Sequence, residues 1–117
     1  MSFKTSKCMS EIKEITNAII KFRDERDWAQ FHNPKDLALA LSIESGELLE
    51  SFLWKKHEEA DPEKVKEELA DVLIYALTLA QNYNLDIKEI ILDKLSSNAQ
   101  KYPVNKAKGS ATKYTDL

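Results

Sequence analysis

Two acidic pairs carry the chemistry this sequence can do: Glu44-x-x-Glu47 and Glu68-x-x-Asp71. Residues at i and i+3 are neighbours on one face of a helix, so each pair presents its carboxylates side by side. Glu44 stands out. At about 100° per residue, Leu37, Leu41, Leu48 and Phe52 form an apolar stripe, and Glu44 falls within it. A carboxylate there costs free energy unless something neutralises it, and a metal ion is one such partner. Glu47 flanks the same stripe. Glu68, Asp71 and Tyr75 make their own row, beside the apolar row Val65, Leu69, Val72, Ala76 and Ala80. If the two helices pack together, the four carboxylates converge at the edge of their seam. An acidic pair on a helix is ordinarily a solvated face. Two pairs, each bordering an apolar stripe, bring a functional site level with that plain reading. All-oxygen ligands suit a hard ion, Mg²⁺ or Mn²⁺. Neither His32 nor His57 stands three residues after a Glu, which argues against a di-iron carboxylate bundle.

The elements that must position these pairs are helices. Ser10 caps the first, whose opening turn is acidic at Glu11 and Glu14 and whose apolar positions are Ile12, Ile15, Ile19 and Phe22; it runs to about Asp27. Trp28 and Phe31 follow where the pattern breaks and read first as core plugs, second as ligand contacts. Asn33-Pro34 is a cap followed by the proline that favours a first helical turn. The second helix runs from there to about Lys56, ending on Trp54-Lys55-Lys56, where cations suit the helix dipole. Gly46 in its interior costs about 1 kcal/mol relative to Ala; it serves either a close helix contact or room beside the carboxylates. Asp61-Pro62 repeats the start signal, and the third helix runs to about Tyr83. Asp86 and Glu89 read as a capping box for a fourth helix, with Ile87, Ile90, Ile91 and Leu95 on its buried face and Pro103 at its end. Lys94, Asn98 and Tyr102 form a polar row on that helix, an exposed flank on its plainest reading. Residues 1–9 read as a loose lead-in and 104–117 as a tail, since almost no large apolar group lies there.

The fold expected is therefore all-α, one domain over 1–117, with four helices. Those helices have Trp28, Phe31, Phe52 and Trp54 to bury, more large apolar surface than their own seams need, so the chain is not expected to be a stable monomer. Only two glycines and three prolines interrupt the 117 residues, which fits long helices. A net charge of −3 offers no basic face for nucleic acid. An anionic substrate would need a metal to approach so acidic a site. The single cysteine, Cys8, excludes an internal disulfide and fits a reducing cytoplasm. No signal-like segment and no apolar run approaching ~18 residues is present, so neither export nor membrane insertion is expected.

The spacing of the four carboxylates resembles the metal-binding signature of the MazG-like superfamily of all-α nucleoside triphosphate pyrophosphohydrolases. The surrounding text is more specific. Glu25-Arg26-Asp27-Trp28, Gln30-Phe31-His32, Gly46-Glu47-Leu48, Phe52-Leu53-Trp54-Lys55, Asp71-Val72-Leu73-Ile74-Tyr75, Tyr102-Pro103-Val104 and Lys113-Tyr114-Thr115-Asp116-Leu117 resemble the dCTP pyrophosphatase-like branch, over residues 11–117. The resemblance implies Mg²⁺-dependent hydrolysis of (deoxy)nucleoside triphosphates, dCTP or related pyrimidine dNTPs, to monophosphate and pyrophosphate. It implies that Glu44, Glu47, Glu68 and Asp71 hold Mg²⁺, with Mn²⁺ the second option. It places Trp28, Trp54 and Tyr75 around the nucleoside, and Lys94, Asn98 and Tyr102 at the phosphates or ribose; Lys113 belongs to a tail that orders over a site. A carboxylate not fully engaged with metal could take a proton from the attacking water, Glu47 first and Glu50 in reserve. It also implies a homodimer, or a homotetramer built as a dimer of dimers, with sites formed between chains. One position departs: Ile19 stands where that branch has a histidine that contacts the base. A different class of protein fits the same helices, a non-catalytic nucleotide-binding or assembly module. Retention of all four carboxylates with Lys94, Asn98 and Tyr102 favours the enzyme.

Overall fold

The computed structural model describes residues 9–117. The expected lead-in therefore lies, apart from Met9, outside the described residues, as does Cys8. Every long element is helical: α1 (Glu11–Glu25), α2 (Pro34–Glu50), α3 (Pro62–Asn82) and α4 (Ile87–Lys101), followed by a short α5 (Val104–Ala107). Single 3-10 turns lie at Ala29–Phe31, His57–Glu59 and Tyr114–Asp116, and the described residues contain no strand. No described helix is long and apolar enough to cross a membrane. Two compact units succeed one another along the chain, one ending at Leu85 and the other spanning Asp86–Leu117.

The helix starts lie where their caps put them. Ser10 Oγ accepts from the Lys13 N–H at 3.1 Å, Asn33 Oδ1 from Asp36 at 2.9 Å, Asp61 Oδ1 from Glu63 at 3.0 Å, and Asp86 Oδ1 from Glu89 at 2.9 Å. Each bond satisfies an amide that the helix itself leaves free. The ends differ more. α1 stops at Glu25, and Asp27 takes a left-handed backbone (φ 56°), which Asp tolerates better than most residues. α2 stops at Glu50, short of the expected Lys56, because the chain tightens into i→i+3 bonds from Ser51 to Leu48 and from Phe52 to Leu49. Trp54 then adopts φ 63°, a conformation usually left to Gly or Asn after a helix. The tight turn keeps side chains near helical spacing, so periodicity overshoots the end.

In the unit ending at Leu85, α2 packs chiefly on α3, with α1 also against α3. Leu37 (1% exposed) and Ala80 form the buried apolar centre, and Ser51, Glu68 and Thr78 are buried with them. The Thr78 hydroxyl donates to the Ile74 carbonyl at 2.7 Å, which removes its burial cost. Much of what the sequence marks for the core is exposed instead. Trp28 is half-exposed, with its ring edge-on to Phe22 at 5.8 Å between centroids, and Phe22 and Phe31 are more exposed still. Trp28 and Phe31 are thus not core plugs in this chain.

In the unit from Asp86, Ile87 is half-buried, but Ile90, Ile91 and Leu95 are exposed. The buried face expected for α4 is uncovered, since the unit supplies no second long helix to lie on it. The segment 104–117, read as a tail from its composition, contains α5 and the terminal 3-10 turn. Tyr114 meets Tyr102 edge-on with centroids 5.8 Å apart, and Lys101 Nζ lies 4.9 Å from the Tyr114 ring centroid. That cation and those two rings give the terminal turn a local anchor.

Candidate metal centre

α2 and α3 are the most closely packed pair of helices, and each brings one acidic pair to their shared edge. Glu44, Glu68 and Asp71 each offer a carboxylate oxygen, and the three oxygens lie within 4.8 Å of one another. Glu68 is the most enclosed, with 7% of the residue exposed; Glu44 is half-buried, and Asp71 and Glu47 face solvent. Glu47 belongs to the cluster through Glu44. The Glu44 carboxyl is pushed up to about 7, first by a hydrogen bond with Glu47, which two ionised carboxylates cannot form without a proton between them. Burial adds to this, followed by the negative charges of Glu47, Asp71 and Glu68.

Among the described residues, one cation reaches the cluster. Lys64 Nζ contacts Glu68 Oε1 at 2.8 Å across one turn of α3. Its ammonium is held above the usual lysine range, first by that hydrogen bond and then by the Glu68 charge. Sequence reading passed over Lys64, although the i, i+4 spacing to Glu68 was there to find.

Two oxygens of the cluster are left without partners. Glu44 Oε2 and Glu68 Oε2 are buried and make no hydrogen bond. A buried, unpaired carboxylate oxygen is costly, and natural structures retain few of them without a ligand, ion or function. Orphaned oxygens on a close-set, all-oxygen group fit a hard divalent cation, and the donor set contains no sulfur or imidazole that would favour a softer metal. A Cβ added at Gly46 would meet nothing within 4 Å, so no close helix contact requires a glycine there.

The other residues singled out in the sequence are distributed as follows. Tyr75 is half-buried on α3, one turn beyond Asp71, and Glu50 is exposed at the last position of α2. Trp54, 98% exposed, presents both faces of its indole to solvent after α2. Trp28 sits between α1 and the first 3-10 turn. Lys94 and Asn98 lie on α4 and Tyr102 is its C-cap, while Lys113 caps the terminal turn; all four belong to the unit from Asp86. Ile19 is half-buried on α1. Neither histidine joins the carboxylates: His57 pairs with Glu58 at 3.1 Å, and the His32 carbonyl accepts from Asn82 Nδ2 at 3.0 Å.

Known proteins share this arrangement of sequence. Residues 39–117 match the family described as the MazG-like family. The chain is 43% identical to dCTP pyrophosphatase 1 of Mus musculus over 114 residues, spanning 91% of this chain and 67% of that protein. It is 41% identical to dCTP pyrophosphatase 1 of Bos taurus over 124 residues, 99% of this chain and 72% of that one. A crystal structure of a pyrophosphatase from Archaeoglobus fulgidus superposes with a TM-score of 0.74 at 36% identity, covering 80% of this chain and 94% of that one.

Proposed function

Because the chain belongs to the MazG-like family, we infer that it hydrolyses deoxynucleoside triphosphates, dCTP and related pyrimidine nucleotides first, to the monophosphate and pyrophosphate. The observation that carries this is the trio Glu44, Glu68 and Asp71, set within 4.8 Å on two packed helices with two buried oxygens unpaired. Glu44, Glu68 and Asp71 would hold Mg²⁺, or Mn²⁺ in its place, with Glu47 beside them. Such an ion supplies neutralising charge for the phosphate oxygens, which lets a trianionic or tetra-anionic nucleotide approach an acidic site.

In the reaction, a water oxygen bonds to the α-phosphorus, the bond to the α,β-bridging oxygen breaks, and pyrophosphate leaves with the electron pair. The water's proton goes to a carboxylate. Glu47 is the first candidate, because it is exposed and adjoins the cluster; Glu50, one turn on, is the second. Trp54 offers a stacking platform for the base, with Trp28 and Tyr75 as further walls. Stacking of this kind contributes about 1–3 kcal/mol per base with little selectivity among bases. Lys94, Asn98, Tyr102 and Lys113 are assigned to the phosphates and sugar on family resemblance. Both units are taken as parts of one catalytic domain, because the family match runs through 39–117 and so includes each of them.

The assembly inferred is a homodimer or a dimer of dimers. Support comes from the apolar residues Leu39, Ile43, Leu49, Leu69, Leu73 and Ile74, all exposed on α2 and α3, beyond what a lone chain of this size usually leaves to water. A single-chain mass by light scattering at micromolar concentration would refute it. The activity is tested with a panel of NTPs and dNTPs in Mg²⁺, with products separated by chromatography. Monophosphate plus pyrophosphate is expected. Diphosphate plus phosphate would overturn the reaction class, and tight nucleotide binding without turnover would support the non-catalytic module instead.

A further inference from the structure

Lys64 is not explained by helix chemistry. It lies in the first turn of α3, where the helix dipole disfavours a cation. It also precedes its acidic partner at i, i+4, the weaker of the two orders for an ion pair on a helix. Yet its ammonium holds Glu68 Oε1 at 2.8 Å, reaching from a half-exposed side chain (52%) onto a carboxylate that is 9% exposed. The other ion pairs among the described residues, Arg23–Asp24, Arg26–Glu25, His57–Glu58 and Lys66–Glu63, leave the cluster alone. Glu68 is thereby divided: Oε1 is taken by Lys64, and Oε2 is buried with no partner.

We propose that Lys64 is a positioning residue that restricts Glu68 to one oxygen toward a divalent cation and so biases the centre to a small octahedral ion over a larger one. The proposal rests on the metal reading given above. The chemistry follows from coordination number. Ca²⁺ takes about 6–8 oxygens and readily accepts both oxygens of one carboxylate, whereas Mg²⁺ demands near-octahedral geometry and keeps several of its waters. A glutamate tied down at Oε1 cannot chelate with both oxygens, so it suits the smaller ion and denies the larger one a ligand. Freed from Lys64, the same side chain can offer both.

The test is calorimetric titration of the purified full chain with MgCl₂ and with CaCl₂, without nucleotide, for wild type, Lys64→Met and Lys64→Ala. Methionine keeps the stem and removes the ammonium; alanine repeats the test without added apolar surface, and circular dichroism checks the fold of each. The readout is the ratio of the two affinities. Both variants should shift it toward Ca²⁺ by about tenfold, the scale on which partners of metal ligands act. Loss of one positive charge by itself would strengthen both ions alike, so an unmoved ratio would overturn the proposal while leaving the metal centre standing. A wild-type chain that binds neither ion would overturn the metal reading, and the proposal with it.

Discussion

Replacing Glu44 with glutamine should make the metal-free protein more stable and the metal-loaded protein less so. In the folded chain the Glu44 carboxyl lies at about 7, against an ordinary 4.5. A group whose folded pKa is raised binds its proton more tightly in the native state than in the unfolded one. Stability therefore falls as pH rises from about 4.5 to about 7, and the full cost of the buried charge is present above that window. Each tenfold in proton affinity is worth about 1.4 kcal/mol, which sets a ceiling of roughly 3 kcal/mol. Glu44 is only half-buried and shares its proton with Glu47, so solvent and coupling reduce the expected effect to about 1–2 kcal/mol. Glutamine is neutral throughout, and its amide can still donate to Glu47.

Thermal melts in chelator, at one protein concentration, read this directly. With an unfolding entropy near 2.1 cal/mol/K per residue, a gain of 1–2 kcal/mol raises Tm by about 4–8 °C. Glu44→Gln should show that gain at pH 8 and lose it below about pH 4.5, where both residues are neutral in either state. Saturating Mg²⁺ should reverse the order, because ligand at a hundredfold over Kd stabilises the wild type by about 2.7 kcal/mol and the variant has lost a ligand. A variant no more stable than wild type in chelator at pH 8 would show that the carboxylate cluster does not strain the fold, and the electrostatic reasoning would fail.

Asp71→Asn should lower kcat on the order of a thousandfold with the helical content unchanged, as expected for loss of several kcal/mol of transition-state stabilisation at a metal ligand; near-normal turnover at limiting Mg²⁺ would remove Asp71 from the centre. Truncation after Lys108 removes Tyr114 and its contacts with Tyr102 and Lys101, and should raise KM for the triphosphate while calorimetric Mg²⁺ affinity stays unchanged. Ile19→His should sharpen the preference for cytosine, since an apolar wall discriminates by only about 1–3 kcal/mol and a hydrogen-bonding one by more. A wild type already selecting dCTP over dTTP and dATP by about a thousandfold would mean that another residue reads the base.

The start of each helix was legible in the sequence because a cap is a local device: Asn33-Pro34 and Asp61-Pro62 carry their own hydrogen-bond partners within three residues. The end of α2 was not, since its stop depends on Trp54 taking a left-handed backbone without the glycine that would announce it. Glu44 stood out because its neighbours on the stripe are apolar, and its Oε2 is buried. Glu68 was singled out by spacing, but its burial, deeper than that of the other three, was not legible. Lys64 looked like an ordinary surface lysine because its role depends on how deeply Glu68 sits, which no periodicity states.

Burial itself was the least legible property, for a physical reason. An amphipathic period says that a helix face is apolar; it does not say which molecule covers that face. Ile91 and Leu95 on α4 read as core, yet both face water in the single chain, as does Ile43 on α2. Ile43 is the instructive case, because it lies one helical turn before Glu47 on the same face of α2. Covering it with a second copy would remove water from the flank of the carboxylates and lower the local dielectric. The repulsion among Glu44, Glu47, Glu68 and Asp71 would then grow, and with it the attraction of the cluster for a divalent cation. Assembly and metal binding should therefore reinforce one another. If a second copy covers them, the residues exposed beside the site would decide how dry the carboxylates become.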